Sequence, residues 1–145
     1  MGPKSFKVFD GRNIYSHRKC IRLILDLEDC IKIDSDRLTG FNERLLKLLP
    51  ELKSHRCSPG EVGGFAKVLE QGTPLNHVCG HIAVALQNRV GADVSFCSES
   101  KSGSSICYTV YEFKYRNTGI EAGNIAVEII NSLVEGREVG LSSKL

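Results

Sequence analysis

The stretch that decides the fold is residues 74–89, with the sequence PLNHVCGHIAVALQNR. Its apolar side chains recur every three to four residues, which predicts an amphipathic helix with one apolar stripe. The stripe consists of Leu75, Val78, Ile82, Ala85 and Leu86. Thr73 can cap this helix, Pro74 suits its first position, and Gly91 ends it. We expect the other elements to assemble around this helix.

Two histidines, His77 and His81, lie four residues apart within the helix. That spacing puts both imidazoles on one face, one turn apart, where they can share a metal ion. Zinc suits such a pair, because it takes histidine nitrogens, often adds a carboxylate ligand and leaves one position open for water. The alternative is that both rings lie on a half-exposed helix face and hydrogen-bond to neighbours, since this spacing also arises by chance.

Gly80 stands where the inverted zinc-helix motif, His-x-x-Glu-His, carries its glutamate. A glycine in the middle of a helix costs about 1 kcal/mol against alanine and transfers no proton. We therefore interpret Gly80 as a replacement within a motif built for a general base. Cys79 is interpreted as a buried thiol, because on a helix it points away from both histidines. His17 and His55 lie in polar segments and are given no role.

The composition is typical of one globular domain with its own core: 145 residues, 41% hydrophobic and 25% charged. A net charge of +2 is too small to predict nucleic-acid binding. With no membrane-spanning run and no signal peptide, we expect a cytoplasmic protein without a membrane partner. Six scattered cysteines favour free thiols in a reducing compartment. They are Cys20, Cys30, Cys57, Cys79, Cys97 and Cys107.

The remaining segments predict further strands and helices. Strands are expected over residues 6–9, 20–27, 93–97 and 106–115, the last two as an antiparallel pair around a hairpin loop at 98–105. Helices are expected over residues 41–55, which Pro50 can split, over 65–70, and from Thr118 to Gly136. Thr118 and Glu121 match a capping box at the start of the last helix. Residues 57–64 are expected to form a loop.

This order of elements predicts an α+β fold, a mainly antiparallel sheet with three to four helices packed mostly on one face. Residues 1–136 are expected to form a single domain, followed by a flexible tail over 137–145. No glycine-rich phosphate loop follows a strand, so no ATP site is expected in this chain.

Several short segments occur together in a specific order. They are residues 13–16 (NIYS), 40–46 (GFNERLL), 57–60 (CSPG), 63–65 (GGF), the helix over 77–87, and 110–113 (VYEF). In this combination the chain resembles the N-terminal domain of cyanophycin synthetases over residues 8–135. The family's members are large enzymes that use ATP to build a polymer of aspartate with arginine on each side chain. The resemblance covers none of their ATP-grasp-like or Mur-ligase-like domains, so we expect no polymerisation and an excised domain.

The resemblance implies polymer binding and, in some members, a zinc-dependent endopeptidase-like activity that cuts the polymer into primers. It carries metal-binding roles to His77 and His81, whereas Gly80 departs from the family's glutamate. Glu112, in the aromatic-Glu-aromatic strand, is the first choice for the third metal ligand, and Glu121 is the second. Either can instead be a solvent-facing carboxylate, and the capping role alone would explain Glu121.

Losing a general base typically lowers the rate by about 10²–10⁴-fold, so we expect a zinc-peptidase scaffold that is close to inactive. The alternatives are a purely non-catalytic polymer-binding module, or a structural domain for contacts with a parent synthetase or another copy. A reader of this polymer needs both signs of charge, and arginine pairs well with carboxylates. Arg12, Arg44, Arg56 and Glu43 are the leading candidates, followed by Arg18, Arg22, Arg37, Asp36 and Glu61. Each of these residues can also be an ordinary solvated side chain.

Overall fold

A computed structural model gives the fold and describes residues 1–27, 34–56, 61–100 and 105–140. Some predictions fall outside the described residues. They are the free thiols of Cys30 and Cys57, half of the loop at 57–64, most of the tip of the 98–105 hairpin, and residues 141–145 of the tail.

Four strands form one antiparallel sheet. They are β1 (Gly2–Phe9), β2 (Cys20–Asp26), β3 (Phe96–Glu99) and β4 (Ile106–Glu112), in the spatial order β1-β2-β4-β3. Alternate residues of the central strand β2, namely Ile21, Leu23 and Leu25, are completely buried, as expected for a strand with one face on the core. The sheet therefore presents one apolar face to the helices.

The described part of the chain contains four α-helices beside the sheet. They are α1 (Phe41–Leu48), α2 (Gly64–Gln71), α3 (Leu75–Arg89) and α4 (Arg116–Val134). Helices α3 and α4 pack on each other and on the sheet, and a 3-10 helix (Pro50–Ser54) contacts α1, α2 and α3. Pro50 opens that 3-10 helix, so the helix predicted over 41–55 is split there. The predicted α+β fold is confirmed.

Helix α3 is more central than its sequence pattern indicates. Every residue from Leu75 to Gln87 is buried, rather than a single apolar stripe. The reason is that α3 contacts α4, β3, β4 and the 3-10 helix at once. The alternative that its histidines lie on a half-exposed face is therefore wrong.

Both predicted N-terminal caps, Thr73 for α3 and Thr118 for α4, are wrong. Helix α3 begins at Leu75, after Pro74, and no side chain caps it. Thr73 is bound to Ser35 instead, because its backbone N–H donates to Ser35 Oγ at 3.2 Å. Helix α4 begins at Arg116, so the predicted capping box at 118–121 lies inside the helix. Gly91 and Gly136, with φ of 86° and 74°, follow the ends of α3 and α4 as predicted.

The strand boundaries differ from prediction by three or more residues at three places, and β2 ends one residue early and β3 two residues late. Asp93 has a φ of 56°, which is incompatible with an extended strand, so β3 begins at Phe96. Strand β4 ends at Glu112, three residues early, and β1 begins at Gly2, four residues before the predicted segment. No helix in the described part of the chain combines the length and apolar character needed to cross a membrane.

Candidate functional site

The histidine pair lies inside the protein. His77 and His81 sit on α3 with ring centroids 4.8 Å apart, and their exposed fractions are 6% and 0%. Their proximity follows from the one-turn spacing of an α-helix. Both imidazoles are thus buried, and His81 also lines a cavity of about 390 Å³.

Two phenylalanines enclose His81. The ring of Phe65, from α2, stacks on the imidazole at 3.9 Å with an interplanar angle of 20°. The ring of Phe96, from β3, stacks on its other side at 4.4 Å and 10°. Phe65 and Phe96 also contact His77, at 5.8 and 4.9 Å between ring centroids. These two phenylalanines, His77 and His81 form a stack of aromatic rings, which we call the aromatic stack.

His55 and Glu99 make polar contacts with the aromatic stack. His55 Nδ1 lies 3.1 Å from His81 Nδ1, so that one nitrogen donates and the other accepts. Glu99 Oε2 lies 3.1 Å from His77 Nδ1. Burial lowers the pKa of His81 well below its ordinary value, with a further contribution from His77 and His55, and burial also lowers the pKa of His55. His81 is therefore neutral at pH 7, with its Nε2 buried and lacking a hydrogen-bond partner among the described residues.

Gly80 lies close against the sheet. A Cβ atom at this position would overlap Thr109 Oγ1 and would lie 2.5 Å from Phe96 Cε1, closer than such atoms approach in real structures. Both neighbours come from the sheet, Thr109 from β4 and Phe96 from β3. A glutamate therefore has no space at residue 80 unless the side chains of Thr109 and Phe96 move.

Of the two predicted third ligands, Glu112 makes other contacts and Glu121 is exposed. Ser16 Oγ donates to Glu112 Oε2 at 2.9 Å, and the Ser95 N–H donates to Glu112 Oε1 at 3.1 Å. Arg18 Nη1 lies 3.7 Å from the same carboxylate. Glu121 is exposed on α4. Among the described residues, no group of three or more histidine, cysteine, aspartate or glutamate side chains is arranged to hold a metal ion.

We tested whether the described residues fit a catalytic zinc ion. The buried, unpartnered Nε2 of His81 is a suitable ligand atom. However, the phenyl rings of Phe65 and Phe96 cover both faces of that imidazole. A peptidase also needs a position for water and a general base beside the metal. The space at residue 80 does not accommodate the side chain of a general base. The described residues therefore do not fit a zinc peptidase centre, and zinc ligation by His77 and His81 stays a prediction.

Arg44, a predicted substrate-binding residue, connects α1 to the C-terminal end of α4. Its guanidinium donates to the carbonyl oxygens of Leu133 and Arg137 at 3.3 and 2.6 Å. The Arg137 N–H donates to the Ser132 carbonyl at 2.8 Å, and Val139 packs against the core. In the predicted tail, Arg137 therefore contacts α1 through Arg44, and Val139 packs against the core.

The other leading candidates lie apart from one another. Arg12 is exposed and its Nε donates to His17 Nδ1 at 3.0 Å, so His17 has a structural contact that the sequence did not indicate. Arg56 lines a cavity of about 390 Å³ that also contains His55 and His81. Glu43 is exposed on α1. Among the second group, Arg22 donates to the Tyr15 hydroxyl, Glu61 pairs with Lys67, and Asp36 and Arg37 are exposed.

A second cavity, which we call the basic cleft, has a volume of about 460 Å³. It is lined by Gly11, His17, Arg18, Lys19, Ala92, Asp93, Val94, Phe113 and Lys114. Arg18 Nη1 donates to the Asp93 carbonyl at 3.1 Å, and Lys19 Nζ donates to the Lys114 carbonyl at 3.1 Å. Three cations and one carboxylate thus border an open cavity, and only Arg18 of this group was a predicted candidate.

Comparison with known proteins assigns this arrangement to a family. The family model for the cyanophycin synthase-like N-terminal domain matches residues 22–135. Cyanophycin synthetase from Geminocystis herdmanii is 37% identical over 134 residues, which are 90% of this chain and 15% of that protein. Cyanophycin synthetase from Synechocystis sp. is 37% identical over 135 residues, 91% of this chain and 16% of that protein. The chain therefore spans about one sixth of the length of these curated relatives.

Proposed function

Because the chain belongs to the cyanophycin synthase-like N-terminal domain family, we propose that it binds cyanophycin as a non-catalytic module of a larger protein. The relatives are cyanophycin synthetases by name, which supports the polymer as the ligand. The chain spans 15–16% of their length, so other regions of such a protein would carry the synthesis.

One observation carries the non-catalytic part of this proposal: the space at residue 80 is filled by Thr109 and Phe96. A peptidase of this type needs a base that takes a proton from water and passes it to the leaving amine. In this chain Gly80 lies against β3 and β4, and the imidazole of His81 is covered by phenyl rings on both faces. The surroundings of Gly80 and His81 are therefore packed like a hydrophobic core.

The basic cleft is the surface that supports polymer binding best. Each unit of an aspartate polymer with arginine on its side chains presents a carboxylate and a guanidinium. Arg18, Lys19 and Lys114 can pair with carboxylates, and Asp93 with a guanidinium. Lys19 Nζ also lies 5.0 Å from the ring centroid of Phe113, which holds the ammonium at the border of the cavity. The polymer therefore meets both signs of charge in one place.

A charge-matched pair of triple variants tests the binding site. Arg18→Gln, Lys19→Gln and Lys114→Gln together remove three charges from the basic cleft. Lys47→Gln, Lys53→Gln and Lys67→Gln remove three charges from the helices. Titration with a short arginine-bearing aspartate oligomer, at low and high salt, should show at least tenfold weaker binding for the cleft variant only. Equal binding by the two variants would contradict the assignment of the binding site to the basic cleft. No binding by the unmodified chain would contradict the proposed function.

A cleavage assay tests the absence of catalysis. The purified chain, supplied with zinc, is incubated with the same oligomer and the products are measured by mass spectrometry. We expect the oligomer to keep its length. Shortened fragments that disappear with a chelator would contradict the proposal and would restore the peptidase hypothesis. Zinc that stays bound without fragments would indicate that His81 Nε2 is a ligand in a site without catalysis.

A further inference from the structure

The face of the sheet that points away from the helices carries a cluster of cations and aromatic rings. In the central strand β2, Ile21 and Leu23 are completely buried in the hydrophobic core. Arg22 lies between them, so its side chain points to the opposite face, and its cross-strand neighbour Lys7 in β1 shares that face. The residues that meet there, which we call the outer-face cluster, are Lys7, Phe9, Tyr15, Arg22 and Tyr108.

Aromatic neighbours hold the guanidinium of Arg22 in place. Its central carbon lies 5.7 Å from the ring centroid of Phe9 and 6.0 Å from that of Tyr108. Its Nη1 donates to the Tyr15 hydroxyl at 3.3 Å, and its Nε is buried without a hydrogen-bond partner among the described residues. The rings of Tyr15 and Tyr108 are 6.3 Å apart between centroids. These contacts orient the guanidinium but do not neutralise its charge.

The two cations of the outer-face cluster have no acidic partner in the described part of the chain. No carboxylate there forms a salt bridge with Arg22 or Lys7. Arg22 is half-buried and Lys7 is exposed, so a ligand can approach them from the solvent. The fork of a guanidinium matches the two oxygens of a carboxylate, and a half-buried pair is screened by salt less than an exposed one. The cluster is therefore suited to a carboxylate.

The chain between β1 and β2 connects the outer-face cluster to the basic cleft. Tyr15 belongs to the cluster, whereas His17 and Arg18 line the cleft. Asn13 fixes this connection, because its Oδ1 accepts from the N–H groups of Tyr15 and Ser16 at 2.8 and 3.1 Å. Three residues separate Tyr15 from Arg18, so their Cα atoms are at most about 11 Å apart. A polymer with an extended aspartate backbone covers that distance with about four units.

We propose that the outer-face cluster is a second subsite for the same polymer, so that one polymer chain crosses residues 10–19 and binds at both places. This inference rests on the proposed function, because the ligand is the same. Arg22 and the Tyr15 and Tyr108 hydroxyls pair with a carboxylate of the polymer. The ring of Tyr15, over which no cation of the described residues lies, stacks with the guanidinium of a neighbouring unit.

Two subsites on one surface predict a strong dependence of affinity on polymer length. The full chain is titrated with a single aspartate that bears arginine and with an oligomer of six such units. In the unmodified chain the oligomer should bind at least about a hundredfold more tightly, because the second contact becomes intramolecular. In Lys7→Gln with Arg22→Gln this ratio should fall to about sixfold, the statistical advantage of six equivalent units at one subsite.

Lys47→Gln with Lys53→Gln is the matched control, because it removes the same charge from α1 and the 3-10 helix. It should keep the ratio of the unmodified chain. If Lys7→Gln with Arg22→Gln fails to fold, Tyr15→Phe with Tyr108→Phe removes both hydroxyls and keeps both rings. That variant should lower the ratio at least threefold.

The outcomes separate the second subsite from the proposed function. An oligomer that binds the unmodified chain with a ratio of only about sixfold would overturn the second subsite and leave the function in place. An equal ratio in the unmodified chain and in the outer-face variants would do the same. If neither probe binds the unmodified chain, both the function and the second subsite are contradicted.

Discussion

The aromatic stack and the basic cleft lie close together, and Val94 lines both the cleft and the cavity beside His55 and His81. They differ in what they leave open. In the aromatic stack the functional groups are buried between rings, whereas in the basic cleft Arg18 has a side chain that is 63% exposed. The comparison teaches that one domain can bury its histidine pair in aromatic packing while an adjacent cavity keeps charged side chains exposed.

Adding a side chain at Gly80 should have the largest effect on this comparison. We expect Gly80→Ala to lower the free energy of unfolding by about 1–3 kcal/mol, because its methyl group overpacks the contact with Thr109 and Phe96. In an exposed helix the same change would stabilise by about 1 kcal/mol. Gly80→Glu should lower the stability further. Denaturant unfolding followed by circular dichroism measures both.

Gly11→Ala is the matched control for Gly80, because its Cβ would meet no atom within 4 Å. It should change the free energy of unfolding by no more than about 0.5 kcal/mol. If Gly80→Ala were as stable as the parent, the contact between α3 and the sheet would be loose. The region could then hold a glutamate, and the contrast with the basic cleft would break.

The sequence predicted more of the fold than of the site. Alternation and helical periodicity in contiguous segments located the sheet and the four helices, and Pro50 marked the end of α1 correctly. His55 was missed because it is 26 residues from His81 and only tertiary packing joins them. Gly80 looked like a missing glutamate, since its close approach to Thr109 involves residues 29 positions apart and no local pattern records it. Asp93 adopts a positive φ that its residue type does not announce.

Acid should destabilise the aromatic stack. His81 and His55 have pKa values below the ordinary 6.5 in the folded protein, mainly because of burial, and regain 6.5 on unfolding. The unfolded chain then binds more protons below pH 6.5, so stability is complete above that pH and falls as the pH drops. We expect His81 to contribute to this loss between pH 7 and pH 5, because its pKa is lowered mainly by burial. Denaturant unfolding at each pH measures it.

His81→Phe sharpens this prediction, because it keeps a ring between Phe65 and Phe96 and removes the titrating group. The loss of stability between pH 7 and pH 5 should shrink in this variant. His17→Gln removes an exposed imidazole and is the control, so it should leave the loss in place. An unchanged acid loss in His81→Phe would mean that His81 is not enclosed as the aromatic stack requires.

The smallest expected effect concerns Arg44. Its substitution distinguishes charges that stabilise the fold from charges that bind the ligand. Its guanidinium donates to two carbonyl oxygens at the end of α4, of Leu133 and Arg137. Arg44→Gln should therefore lower the free energy of unfolding by about 1 kcal/mol, as the loss of a partly exposed charged hydrogen bond does. Binding of the arginine-bearing oligomer should stay unchanged.

Lys47→Gln, on the same helix, is the control for Arg44, because it changes the charge equally and should leave stability within about 0.5 kcal/mol. A weaker affinity for the oligomer in Arg44→Gln, with Lys47→Gln unaffected, would contradict the assignment. It would extend the ligand surface from the basic cleft to α1. A loss of stability without a loss of affinity supports a single binding face, since the charge of Arg44 is then used within the fold.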